Sequence, residues 1–92
     1  MSFISSYIEK DIENNPDASE EYQQLSLNMD AAVIVREMRD DLGMSQKEFA
    51  KYVHKPQSTI TRIESGTMNV NMQLLNEIAT AAHRRLKLTL VN

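Results

Sequence analysis

Residues 45–66 read SQKEFAKYVHKPQSTITRIESG, and few backbone arrangements accommodate that order. Ser45 with Glu48 three residues later is a capping box, the signature of a helix start. Phe49, Ala50 and Val53 follow at helical spacing. His54-Lys55-Pro56 then interrupts the helix. Proline lacks the amide hydrogen a helix needs and pushes the residue before it out of the helical region. A second helix restarts at Gln57 and runs to about Ser65, with Ile60 and Ile63 inward. Gly66 stops it, as the residue that best takes a left-handed closing conformation. The spacing thus predicts two short helices joined by a tight turn. The second has an apolar inner side and a polar outer side made of Gln57, Ser58, Thr59, Thr61 and Arg62.

Helical periodicity extends on both sides. Ala31, Ile34, Val35, Met38 and Leu42 form a stripe on a helix from about Asp30, a possible N-cap, to Leu42, with Gly43 as its stop. Asn71 opens a last helix whose inner side holds Leu74, Leu75, Ile78, Ala79 and Ala82. Toward the N-terminus, Phe3, Ile4, Tyr7, Ile8 and Ile12 share a helix face, with Glu9 and Glu13 beside them. That helix is expected to end at Asn14-Asn15-Pro16-Asp17. A short helix with Ala18, Tyr22 and Leu25 follows to residue 25, and residues 26–29 form a junction. In the tail, Leu86, Leu88 and Leu90 alternate with Lys87 and Thr89, a strand pattern. The chain offers no second strand, and a lone strand leaves its ladder unpaired. Pairing with the same strand of a second copy would close a symmetric dimer. The alternative is a tail that is frayed or packed on its own domain.

The expected fold class is therefore all-α, a helical bundle with an N-terminal helical extension and a C-terminal β-strand that pairs across a dimer. Residues 1–29 form an acidic arm, residues 30–83 the central domain, and residues 84–92 the dimerisation strand.

A helix start rich in amide and hydroxyl side chains suits the major groove of DNA. Gln57 can bond adenine N6 and N7 together, while Ser58 and Thr61 can meet base edges. Thr59 can meet a base edge or the backbone, and Arg62 a guanine or a phosphate. Ser45, Gln46 and Lys47 stand at the start of the preceding helix, where free N–H groups and the helix dipole favour a phosphate. Asn69, beyond the stop at Gly66, completes the expected DNA-contact set.

A net charge of −3 is unusual for such a partner until it is divided. Residues 1–30 hold seven acids and one base (−6), whereas residues 31–92 hold nine bases and six acids (+3). Opposite signs in two parts of one chain point to two partners, unless the acidic part is simply a solvated surface. There is no cysteine, so disulfides and thiolate metal sites are excluded, and no cofactor or metal is expected. The opening MSFISSYIEKDIEN has no basic leader before a long apolar run, and no apolar run matches a membrane span. A cytoplasmic protein with neither a membrane nor a small-molecule partner is expected. His54 and His83 lack an acid or nucleophile arrangement, and Gly43 and Gly66 serve as helix stops rather than a phosphate loop. An enzyme is therefore not expected.

The spacing of residues 45–66 resembles that of the phage-repressor-like (Xre) helix-turn-helix proteins. Their pattern is matched by Ser45-Gln46, the small Ala50 at the helix crossing, the branched Ile60, and Thr61-Arg62-Ile63-Glu64-Ser65-Gly66. The resemblance covers about residues 34–90. It implies an ion pair between Arg39 and Glu64 that links the first helix to the recognition helix. Three departures stand out: His54 occupies a position where the family usually has glycine, Lys55 replaces an apolar turn residue, and Thr67-Met68 replaces basic residues.

The layout of the first thirty residues is similar to the leading segment of HigA-type antitoxins, and the tail also fits that group. The resemblance implies a partner toxin, a small basic RelE-like ribonuclease. Phe3, Ile4, Tyr7, Ile8, Ile12 and Tyr22 would be apolar anchors, with Glu9, Glu13, Glu20 and Glu21 as rim charges. It implies an antitoxin that neutralises its toxin and represses its own operon through a palindromic operator. The other reading is a stand-alone repressor whose N-terminal stripe packs on its own domain.

Overall fold

A computed structural model of the chain describes residues 19–91. The expected helix bearing Phe3, Ile4, Tyr7, Ile8, Glu9 and Ile12, and its break at residues 14–17, lie outside the described residues. The described part contains α1 (Ser19–Asp41), α2 (Gln46–Tyr52), α3 (Gln57–Glu64) and α4 (Met72–Ala81).

The first helix corrects the expectation of a junction at residues 26–29. α1 runs without interruption through Ser26, Leu27, Asn28, Met29 and Asp30, so Asp30 lies inside the helix and caps nothing. Serine, asparagine and aspartate are weak helix formers, each costing only a few tenths of a kcal/mol to about 0.7 kcal/mol, and neither Gly nor Pro interrupts residues 19–41. Tertiary packing overrides so small a penalty. Glu20 and Glu21 in the first turn and Arg39 in the last complement the helix dipole. The inner face is Asn28, Ala31, Ala32, Val35 and Met38. Ile34, expected inside, is 37% exposed, and Leu25 stands out in solvent at 46%. The expected boundary between arm and domain at residue 29 falls within this helix.

Each described helix closes through a residue in the left-handed region. Gly43 (φ 65) follows α1, His54 (φ 59) follows α2, Gly66 (φ 76) follows α3 and His83 (φ 59) follows α4. After α1, the Gly43 amide donates to the Asp40 carbonyl (3.0 Å) and the Met44 amide to Arg39 (3.1 Å). After α2, His54 donates to Lys51 (3.2 Å) and Lys55 to Ala50 (2.9 Å). After α4, His83 donates to Thr80 (3.0 Å) and Arg84 to Ala79 (2.8 Å). These pairs are Schellman closures, which satisfy carbonyls that a helix end otherwise leaves open. A left-handed conformation costs an L-residue roughly 1–2 kcal/mol, and glycine gives back about 0.5–1 kcal/mol in chain entropy. The exposed His54 side chain enters no hydrogen bond or ion pair among the described residues, and glycine keeps the backbone bond to Lys51. His54→Gly is therefore expected to stabilise the protein by about 0.5–1 kcal/mol, raising the thermal midpoint by several degrees. An unchanged or lower midpoint in calorimetry would contradict the strain at this position.

The core gathers Val35 and Met38 from α1, Phe49 and Ala50 from α2, Val53 from the turn, Ile60 and Ile63 from α3, and Ile78, Ala79 and Ala82 from α4 and its end. Leu42, Leu74, Leu75 and Leu86 pack against its edge. The Tyr52 and His83 rings meet edge to face at 6.4 Å, and Arg84 pairs with Asp41 at 3.3 Å, so the end of α4 is held beside the ends of α1 and α2.

The tail corrects a second expectation, because residues 84–91 form no strand. Leu86 tucks against the core, while Leu88 is 66% and Leu90 is 99% exposed. Alternation alone does not make a strand. The backbone needs a neighbouring ladder, and the described chain provides none.

Candidate nucleic-acid interface

The fold displays the outer face of α3 because its inner face is fully committed. Ile60 and Ile63 are completely buried, so the alternate positions turn outward. Gln57, Ser58, Thr61 and Arg62 are exposed on that side, and Thr59 is half-buried. Its N-cap, Pro56, supplies no side-chain hydrogen bond, so the Gln57 and Ser58 amides are left to an outside acceptor, while those of Thr59 and Ile60 bond the Pro56 carbonyl.

Three elements are locked together behind this face. The Glu64 carboxylate on α3 accepts from Arg39 on α1 through Nε (2.9 Å) and Nη2 (2.9 Å), a two-pronged contact. Arg39 Nη1 also donates to the Met44 carbonyl at 3.0 Å, which ties the exit from α1 into the same group. The Glu64 bond raises the Arg39 pKa above its already high ordinary value, against the opposing effect of burial. Glu64 Oε1 further accepts from Gln46 Nε2 on α2, at a long 3.5 Å. Gln46 Oε1 accepts from the Thr61 hydroxyl at 2.8 Å. Gln46 and Thr61, each named from the sequence for DNA, thus spend part of their hydrogen-bonding capacity on each other. They hold α2 at a set angle to α3.

Ser45 has a structural task of its own. Its hydroxyl accepts from the Glu48 amide at 3.1 Å, and Glu48 accepts from the Ser45 amide at 3.1 Å. These bonds, the one from the Ser45 backbone amide foremost, hold the Glu48 carboxyl below its ordinary pKa of 4.5. A depressed carboxyl contributes stability above its unfolded pKa and loses it as pH falls through the folded one. Ser45→Ala is expected to cost about 1 kcal/mol as a lost cap. Glu48→Gln removes the titrating carboxyl and should shrink the acid-induced loss of stability below pH 4.5, whereas Ser45→Ala keeps the backbone bond that contributes most. Thermal melts of wild type and Glu48→Gln across pH 2–7 check this, and parallel acid limbs would refute the Glu48 assignment.

Lys47 and Arg62 are exposed and enter no ion pair among the described residues, which leaves both cations for phosphate. Lys55 behaves otherwise. It pairs with Glu77 on α4, and that bond, with a second from Gln73, lowers the Glu77 pKa. The lysine in the turn therefore braces the turn against α4. Tyr22, named from the sequence for a protein partner, lies half-buried on the first turns of α1.

Asn69 is exposed on the loop after α3, and its side chain meets Asn28 of α1 at 2.8 Å. The sequence reading missed Asn28 altogether, since a polar residue between two supposed helices reads as a junction. Its one usable signal was position: Asn28, Ala31, Ala32 and Val35 share a helical face. Among the described residues no group of His, Cys, Asp or Glu could hold a metal, and no helix is long and apolar enough to cross a membrane.

The helix-turn-helix family model matches residues 35–86, which span all of α2, α3 and α4 and the end of α1. The match covers more than half the chain, and the protein belongs to that family. It is a DNA-binding helix-turn-helix protein of Xre type. Neither the curated proteins nor the solved structures give a significant match.

Proposed function

We propose that the protein is a transcriptional repressor that reads a palindromic operator with α3 of two copies, and that it is not an enzyme. One observation carries the reading: α3 buries Ile60 and Ile63 completely while it exposes Gln57, Ser58, Thr61 and Arg62. Gln57, at the entry of the helix, is the side chain best placed to bond an adenine edge. Gln57→Ala is expected to weaken binding to the operator by about 1–3 kcal/mol while non-specific, salt-sensitive binding stays largely intact. A competition titration against random duplex checks it, and an unchanged preference would sink the reading. Two copies would pair through their tails, where Leu88 and Leu90 stand exposed. Their footprint should then show half-sites about one helical turn apart, or a multiple of that.

A second reading has its own support. The first thirty residues carry a charge of −6, and Leu25 and Leu27 lie exposed on α1. An acidic, partly apolar arm suits a small basic protein, the RelE-like toxin of a HigA-type pair. In that case the repressor is an antitoxin that regulates its own operon. A pull-down from the native host with the full chain and with a chain beginning at residue 19 separates the two readings. The cut is placed there because removal through residue 29 would truncate α1. A small basic protein retained only by the full chain supports the antitoxin. A retained partner in neither sample favours the stand-alone repressor.

A further inference from the structure

We infer that Asn28 is a positioning residue for DNA binding: it holds Asn69, and with it the loop between α3 and α4, against the groove-facing side of the molecule. The inference rests on the DNA-binding reading and adds to it a residue outside the family match, which begins at residue 35.

Asn28 is 7% exposed and is the one polar residue of the described chain that is buried as a whole, although the side chain of Glu64 is buried as well. Asparagine is a poor choice for the inside of a helix. It forms helix less readily than leucine, and a buried amide is costly unless it is bonded. Here it is bonded to two side chains. Its amide lies 2.8 Å from the Gln24 side chain one turn earlier and 2.8 Å from the Asn69 side chain, forty-one residues away. The adjacent residue reinforces the contact. A Cβ on Gly66, where the loop begins, would sit 2.8 Å from the Met29 sulfur. Two successive residues of α1 therefore face the two ends of a four-residue stretch, Gly66 to Asn69. A leucine at position 28 would fill a similar space without a partner in the loop.

The consequence lies on the far side of the loop. Asn69 uses one end of its amide on Asn28 and is otherwise exposed. Arg62 and Thr67 are exposed nearby in sequence, and the Ser65 and Thr67 hydroxyls bond each other at 2.7 Å. Thr67 and Met68 provide no cation for phosphate, so contacts from this loop depend on neutral groups held in place. A side chain fixed before binding loses less freedom when it binds. Asn28 supplies that fixation from α1.

The test uses the full chain and a duplex spanning the promoter of its own gene, with random duplex as competitor. Asn28→Leu keeps the branching of the side chain and removes the amide, and Asn28→Ala serves as a second variant. Asn28→Leu is expected to fold with an unchanged or higher thermal midpoint. It should bind the promoter duplex about three- to tenfold more weakly. In an Asn69→Ala background the same change should add little, because the two residues act as one unit. Amide hydrogen exchange in the free protein should quicken at residues 67–70. Full additivity with Asn69→Ala, or undiminished affinity together with unchanged exchange, overturns the inference. If the wild-type protein shows no preference for the promoter duplex, the DNA reading fails, and with it any role of Asn69 there. Faster exchange at residues 67–70 would then still establish that Asn28 orders the loop.

Discussion

Replacing Arg39 by alanine is expected to destabilise the protein by about 3–5 kcal/mol, the range for removing one partner of a buried pair. The Glu64 side chain is 3% exposed and the Arg39 side chain 16% exposed, so the substitution strands a carboxylate away from water. Arg36 approaches Glu64 at 3.8 Å, but its side chain is 65% exposed and poorly placed to replace a two-pronged contact. The Gln46 bond at 3.5 Å is too long to compensate. Arg39 also holds the Met44 carbonyl, so the turn leaving α1 loosens at the same time. Domains of this size have total stabilities of about 5–15 kcal/mol, so the variant should be partly unfolded near body temperature. Urea denaturation reads the loss directly. The double variant Arg39→Met, Glu64→Leu separates charge from shape, since a well-packed apolar pair often replaces a buried ion pair without loss. Its stability should return to within about 1–2 kcal/mol of wild type. A loss under about 1 kcal/mol in Arg39→Ala would mean that water already reaches Glu64, and the bracing of α3 through α1 would have to be abandoned.

The part of the fold written in local signals was legible in advance, and the part written in distant contacts was not. The capping box at Ser45 and Glu48, the stop at Gly66 and the inward Ile60 and Ile63 each depend on residues a few positions apart. The helix-turn-helix unit follows from them. α1 misled because Asp30 ahead of an apolar run imitates a helix start. The feature that stabilises Asn28 inside a continuous helix, the side chain of Asn69, lies forty-one residues away. His83 could be placed at a helix end from its surroundings, but its left-handed φ follows from the closure of α4 and is not encoded in residue type. The tail showed its alternation plainly, yet a strand is a property of two segments. In the site, residue types indicated which side chains could meet DNA. The position of Gln46 allows its amide to touch the recognition helix, but residue types did not name Thr61, fifteen residues on, as the partner.

Phe49→Ala should cost about 3–5 kcal/mol, a loss on the scale of the ion pair but with a different cause. α2 has seven residues, too few to be helical on its own, so packing must hold it in place. Phe49 is fully buried, and its cluster also includes Val35 of α1 and Ile60 and Ile63 of α3. Removing the ring forfeits its transfer from water and leaves a cavity that three helices and a tight turn cannot easily close. Leu25→Ala is the matched control: Leu25 is 46% exposed on α1, and its removal should change stability by no more than about 0.5 kcal/mol. Chemical denaturation of the two variants, compared at equal slope, reads both numbers. Similar losses in the two would place Phe49 outside the core and undo the packing described. Since α2 carries Gln46 and adjoins the turn that aims α3, the same cavity should lower operator affinity even at temperatures where the variant remains folded. Gln57→Ala should do the opposite, weakening specific recognition with no change in the melting midpoint. The pair of variants therefore separates side chains that build the reading surface from those that touch DNA.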